Sequence, residues 1–338
     1  MPIRIGPHVG RLWAPAKAAL VRHLESALEF GTDVGIRLRA LQVFVSNPHK
    51  MKIIVQDDEA ERIRKFVQKS GITLLVHGAY GDVPWSHSPF AVKFIRSELA
   101  VCKLMGAVGL VIHLGKPDLG VVESSMAALT IDAPSDRPYL YFETPHVLPA
   151  NSHYHTPEHY RALFRMLKKY DPKLQMYGVC IDTAHLWSCG VNLRSYHIAN
   201  TWCQEFEDIL AEESVPDSAV VFHFNDSAHF LGSGIDKHAP LLQGNIWDGS
   251  VSTACGLTPF VLLAERHNSV CILERNNPDN SAQVPKAVLR DDYSVLLEIL
   301  PGLRTDAKEP PSPERLVAPR PSLTEADHAE MNAFLDSL

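Results

Sequence analysis
A closed barrel of eight parallel strands and eight helices, a (β/α)8 or TIM barrel, is the fold class this sequence predicts, on three observations. Eight short, β-rich apolar runs alternate with eight stretches of helical length over about 300 residues. Most of these runs are continuously apolar, as strands covered on both faces must be. No glycine-rich dinucleotide fingerprint follows the first run, so the open doubly wound sheet, which the same alternation would allow, gains no support from a motif.

The strands are read at IRIGPHV (3–9), IRLRALQVFVS (36–46), ITLLVHG (72–78), VGLVIHL (108–114), PYLYFET (138–144), YGVCIDT (177–183), AVVFHFN (219–225) and SVCILER (269–275). Helices are expected near 15–30, 57–70, 89–106, 121–130, 157–170, 192–213, 254–267 and 284–299. Thr156-Pro157-Glu158 marks one start, with an N-cap threonine and a proline at the first helical position, where its missing N–H costs nothing. The nearby histidines of SHYHTPEH (153, 155, 159) are read as a solvated loop and helix start. After residue 303 the character changes. DAKEPPSPERLVAPRP holds five prolines between 310 and 321 and can continue neither helix nor strand. SLTEADHAEMNAFLDSL follows, with Ser322 and Glu325 spaced as a capping box ahead of Met331, Phe334, Leu335 and Leu338. The expected division is a barrel over 1–303 and a C-terminal proline-rich tail with a short helix over 304–338.

With 338 residues and 46% apolar content, the chain can bury a large core. No apolar run approaches the roughly 20 residues that cross a bilayer, so no membrane association is expected. The start, MPIRIGPHVGRLW, lacks the layout of a signal peptide. The six cysteines (102, 180, 189, 203, 255, 271) form no CxxC pair and read as reduced thiols of an intracellular protein, in cytoplasm or nucleus. A formal charge of −7 argues against a nucleic-acid partner unless the chain carries divalent cations, three of which would bring it close to neutral. The 17 histidines invite that question.

Polar residues with metal-ligand chemistry fall near the C-terminal ends of six strands: His77, His113, Glu143, Asp182, His223 and Glu274. Barrel active sites occupy that end, because the strand ends converge there and the loops can vary. Buried carboxylates without partners cost several kcal/mol each, so such a ring is tolerable mainly with cations among its members. Just beyond the strands, His185 follows Asp182 at i+3, and Asp236 and His238 form a D-x-H pair. Imidazole and carboxylate donors together suit zinc, and manganese or iron fits the same atoms. Cysteine is absent from the set, which points to a catalytic rather than a structural site.

These nine residues, in the motifs IGPHV, LVHGAY, VIHLG, YFET, GVCIDTAH, FHFNDS, DKH with QGNI, and ILERNN, resemble the endonuclease IV family of apurinic/apyrimidinic (AP) endonucleases over residues 3–300. The resemblance implies a zinc-dependent hydrolase of DNA base-excision repair with three Zn2+ per chain, Mn2+ or Fe being an option at one site. His77, His113 and Glu143 would hold the first ion. Glu143 would bridge to a second, completed by Asp182, His223 and Glu274, and His185, Asp236 and His238 would hold the third. The family cleaves the phosphodiester 5′ to an abasic site in double-stranded DNA, leaving a 3′-hydroxyl and a 5′-deoxyribose phosphate. Glu143 and Glu274 are then the catalytic carboxylates, with Glu274 orienting the nucleophile or relaying its proton. Asn47, His49, Lys50 and Tyr80 are the DNA-facing candidates, with His8 and Lys237 as phosphate contacts. A monomer is expected, with the tail as the place for a protein partner. The chain departs from the family pattern after His113 (LGKPDLG), after Glu143 (TPHVLPANS) and after His238 (APLLQGNI), which makes reaction class firmer than substrate range. Two other readings compete. A metal-dependent sugar isomerase or epimerase would use a related barrel with fewer ions. A non-catalytic damaged-DNA binder would have no need of a complete ligand set.

Overall fold
All eight expected strands form, in one sheet and in sequence order. They are β1 (Arg4–Pro7), β2 (Ala40–Phe44), β3 (Thr73–His77), β4 (Gly109–His113), β5 (Tyr139–Glu143), β6 (Tyr177–Asp182), β7 (Val220–His223) and β8 (Val270–Leu273). The structure is a computed structural model that describes residues 3–10, 13–15, 17–80, 89–114, 119–131, 133–151, 153–247, 255–275 and 286–303. Every neighbouring pair is parallel, and β1 joins β8 at one side of the sheet. The remaining gap, between β1 and β2, is nearly closed: Val9 N–H donates to Gln42 O at 2.6 Å and Arg39 N–H to Ile5 O at 3.0 Å. Glycine is required at this seam, because a Cβ on Gly6 would lie 1.6 Å from Ala40 O. The barrel therefore stands as predicted.

One expected element divides. The run 36–46 gives β2 and then Ser46–Asn47, which pairs antiparallel with Lys50–Ile53 after a register shift. A hairpin here leaves the barrel wall and stands above it. After β6 the expected helix 192–213 forms as α7, and a short helix that was not expected, α6, precedes it. The helices are α1 (Leu20–Asp33), α2 (Asp57–Ser70), α3 (Pro89–Met105), α4 (Leu119–Thr130), α5 (Pro157–Lys168), α6 (Thr183–Ser188), α7 (Tyr196–Glu212), α8 (Leu257–Arg266) and α9 (Lys286–Ile299). At α5, Thr156 Oγ1 accepts from His159 N–H at 3.3 Å and His159 Nδ1 accepts from Thr156 N–H at 3.4 Å. His159 thus closes a capping box, the helix-start role expected of that stretch. Among the described residues no helix is long and apolar enough to cross a membrane. The tail, with its linker and its Ser322–Glu325 box, lies outside the described residues.

The strands alternate between two cores. Leu74, Val76, Leu110, Ile112, Phe142, Val179, Ile181 and Phe222 face outward into the large layer beneath the helices. Ala40, Leu75, Val111, Tyr141, Cys180, Val221, Val270 and Ile272 face inward and form a separate apolar plug. Tyr141 fills much of that interior. A Cβ on Gly109 or Gly178 would come within 2.3 or 2.8 Å of its ring, so glycine on both neighbouring strands makes room for one large side chain.

Candidate metal centre
Side chains in a strand alternate between its faces, so the residue two beyond an inward plug residue also points inward, one layer higher. That step takes Leu75 to His77, Val111 to His113, Tyr141 to Glu143, Cys180 to Asp182, Val221 to His223 and Ile272 to Glu274. The same step takes Ala40 to Gln42. Parallel register sets the heights: His113 lies opposite Glu143, and Asp182 opposite His223. All six predicted strand-end residues therefore meet in one ring, with Glu143 at 0% exposure at its centre.

Glu143 faces both ways. Its Oε2 is 3.2 Å from His77 Nε2 and 3.0 Å from His113 Nε2, while Oε1 is 2.7 Å from His223 Nδ1. Glu274 Oε2 lies 3.2 Å from the same His223 nitrogen. The remaining expected residues arrive on connections. Asp182 caps α6, its Oδ1 accepting from His185 N–H at 2.9 Å, which explains the i+3 spacing: one carboxylate starts the helix and fixes the imidazole on its first turn. Asp182 Oδ2 stays turned inward and accepts from Asn225 Nδ2–H at 2.7 Å. Asp226–Ser227 pairs antiparallel with His238–Ala239, which carries the D-x-H pair back over the ring. Asp236 Oδ1 then sits 3.1 Å from His238 Nε2 and 3.3 Å from His185 Nε2.

Two groups of potential ligand atoms within 4.8 Å of one another match the expected sets, His77 with His113 and Glu143, and Glu143 with Asp182, His223 and Glu274; a third joins His185 and His238 to Asp182, where Asp236 was expected. Asp182 thus stands between the second and third sets. The donors are tied down from behind. His77 Nδ1–H donates to Gly78 O at 2.8 Å, His185 Nδ1–H to Thr144 O at 2.8 Å, and His223 Nε2–H to Gln42 Oε1 at 3.0 Å. Each bond fixes a tautomer and aims the other nitrogen into the cavity, the arrangement that metal-binding histidines require.

Burial by itself would keep the carboxyls neutral. Against it, the charges of His113 and His223 hold Glu143 well below the carboxylate range, and His223 does the same for Glu274. Burial opposes ionisation of Asp236 too, and His185 and His238 outweigh it. The Cys180 thiol, which lies with ligand atoms of Glu143 and His223 within 4.8 Å of one another, is pushed up to about 12 by burial. His185 Nε2, Asp236 Oδ1 and His238 Nδ1 are buried without an aligned hydrogen-bond partner. Of these, His185 Nε2 and Asp236 Oδ1 face each other at 3.3 Å, an orphaned nitrogen and oxygen that fit a divalent cation of the zinc, manganese or iron type.

The DNA-facing candidates divide. Asn47, His49, Lys50 and Tyr80 form one rim beside the first set: Tyr80 N–H donates to Pro48 O at 2.7 Å, and its ring lies 5.9 Å from His49 and 5.2 Å from His113. Lys237 is exposed beside Asp236. His8 sits within the cavity, its Nδ1 accepting from Gln42 Nε2–H at 3.0 Å and lying 3.6 Å from Glu274 Oε1. Sequence reasoning passed over Gln42, whose amide also donates to Glu274 Oε1 at 2.7 Å. It passed over Asn225, two residues beyond His223, and Arg275, which donates to Asn225 Oδ1 at 2.8 Å and to Asp292 Oδ2 at 2.6 Å. It also passed over His146, three residues beyond Glu143. Inward parity along β2 and β7 would have flagged the first two.

The family described as a xylose isomerase-like TIM barrel matches residues 33–254. The chain is 36% identical over 296 residues to the "Probable AP endonuclease" of African swine fever virus (isolate Tick/South Africa/Pretoriuskop Pr4/1996), spanning 86% of this chain and 97% of the viral protein. It is 30% identical over 240 residues to "Endonuclease 4" of Thermus thermophilus, spanning 66% of this chain and 78% of that protein. Among solved structures, that of AsfvAP:AG superposes with a TM-score of 0.81 at 34% identity, over 89% of this chain and 100% of the other.

Proposed function
The chain belongs to the endonuclease IV family of AP endonucleases, and from that premise we propose that it is a zinc-dependent AP endonuclease of base-excision repair. It hydrolyses the phosphodiester 5′ to an abasic site in double-stranded DNA, leaving a 3′-hydroxyl and a 5′-deoxyribose phosphate. One observation carries this reading: Glu143 lies between two ligand sets with an oxygen toward each, while Asp236 and His238 close a third. That arrangement suits three cations around one phosphate better than the smaller ion complement of a sugar isomerase.

His77, His113 and Glu143 would hold the first Zn2+, Glu143 with Asp182, His223 and Glu274 the second, and His185, Asp236 and His238 the third. Bound there, the ions supply Lewis acidity to the phosphate oxygens and lower the pKa of the attacking water. The chain's own residues do the rest. Glu274, held by Gln42 through one oxygen, keeps the other turned inward, where it orients the water and takes up its proton. The hairpin rim of Asn47, His49 and Lys50, with Tyr80, meets the sugar-phosphate backbone, and Lys237 adds charge beside the third set. An abasic nucleotide has lost pairing and stacking, so drawing it into the cavity costs less than the few kcal/mol of an intact base. The proposed setting is intracellular, in cytoplasm or nucleus, where the six buried cysteines would stay reduced. Elemental analysis together with cleavage of a duplex carrying one abasic analogue tests the reading. Three zinc ions and a 3′-hydroxyl product are expected. One ion per chain without cleavage would return the chain to the isomerase class.

A further inference from the structure
Beside His8, which is held by Gln42, the cavity holds His146, a histidine that none of the three ligand sets uses. His146 packs with ring centroids 5.4 Å from His113 and 5.1 Å from His185, and its Nδ1 is buried with no hydrogen-bond partner. One ligand atom each from His113, His146 and Asp236 lie within 4.8 Å of one another. His113 belongs to the first set and Asp236 to the third, so this group spans two sites. The group therefore overlaps the resident sites, sharing a ligand with each, and His146 is the member it shares with neither.

His113 and Asp236 are the most exposed of the nine expected ligands. The side chains of Glu143, Asp182 and His223 are 0% exposed, and those of His77 and His185 only 2% and 1%. His113 and Asp236 are 18% and 25% exposed, and His146 is half-buried. A cation coming from water meets this mouth before the ring below. It must exchange its waters for donors stepwise, since a bare ion in a low-dielectric cavity is prohibitively costly. We propose that His113, His146 and Asp236 form a loading position for divalent cations, occupied in passage between solvent and the buried ligands, with His146 as the donor reserved for it. This rests on the three-ion reading above. A ligand used only in passage lowers the barrier equally in both directions, so it changes exchange rates and leaves affinity alone.

The test uses the full chain, its His146→Ala and His146→Gln variants, and His153→Ala as a histidine control outside the cavity. Zinc uptake by metal-free protein and zinc release to an excess of a chromophoric chelator are followed by stopped flow, with elemental analysis for content and circular dichroism for folding. Both His146 variants should load and release zinc more slowly by about tenfold, at unchanged content and dissociation constants, while His153→Ala matches the parent. Rates within about twofold of the parent in the folded variants would overturn the proposal. Loss of an ion or weaker equilibrium binding would overturn it too, by making His146 a resident ligand. A parent chain holding a single ion would sink the three-ion reading and the loading position with it, and content reveals that before any rate is measured.

Discussion
Two layers of the barrel interior, one step of the pleat apart, are built by the same strands and behave as different materials. The lower layer is Ala40, Leu75, Val111, Tyr141, Cys180, Val221, Val270 and Ile272, closed and apolar. The upper is Gln42, His77, His113, Glu143, Asp182, His223 and Glu274, equally enclosed at 0–9% exposure except at His113, and almost wholly titratable or hydrogen-bonding. Backbone, twist and pairing are continuous between them. The difference teaches that this fold does not separate stability and function by domain. It separates them by height along one set of strands, and the dry plug beneath strengthens every electrostatic interaction in the ring above it.

The comparison can be broken from either side. The largest effect is expected from Glu274→Gln, which keeps shape and removes a charge. Turnover on an abasic duplex should fall by about two to three orders of magnitude, while duplex binding, measured by fluorescence anisotropy, persists. Unchanged turnover would take Glu274 out of the mechanism. In the lower layer, Leu75→Ala should cost about 2–5 kcal/mol of stability in denaturant titration, because it opens a cavity in a closed plug. The folded variant should still bind its full metal complement; loss of metal at conditions where it remains folded would show that the layers are not separable. Gln42→Leu sharpens the boundary, since it turns an upper-layer residue apolar at similar volume. Removing the bonds to His223, His8 and Glu274 should weaken metal binding by about tenfold in a chelator competition, with little change in melting temperature. A large drop in melting with metal affinity intact would reassign Gln42 to the plug. The smallest effect is expected from truncation after Asp306. Residues 308–338 carry six acidic and three basic residues and none of the nine expected ligands. Steady-state cleavage should stay within about threefold, since a net negative tail has no grip on phosphate. A larger change would tie the tail to the active face.

Much of this was legible in the sequence. The eight strands and the six polar strand ends are local patterns: a run of apolar residues that stops at His, Asp or Glu. The His185 spacing was legible as a motif, though its cause, the capping of α6 by Asp182, was not. The splitting of 36–46 at the register shift near Ser46 was missed, because a continuous apolar run carries no mark of where its backbone leaves the sheet. The seam at Gly6 was equally invisible, since a glycine declares its need only once the opposing carbonyl is in place.

By itself, then, the sequence determined which residues are strands, which end of each strand is polar, and which donor chemistry collects there. Those properties depend on period-two burial and side-chain type, which act within a few residues. Only the tertiary structure decided which of these groups touch. Glu143 meets His223 across 80 residues and Gln42 meets Glu274 across 232, and both pairings follow from parallel register and barrel closure. Register is fixed jointly by hydrogen bonds on all eight strands, so no single segment encodes it, and a residue such as Gln42 or His146 acquires its neighbours only when the whole ring has closed.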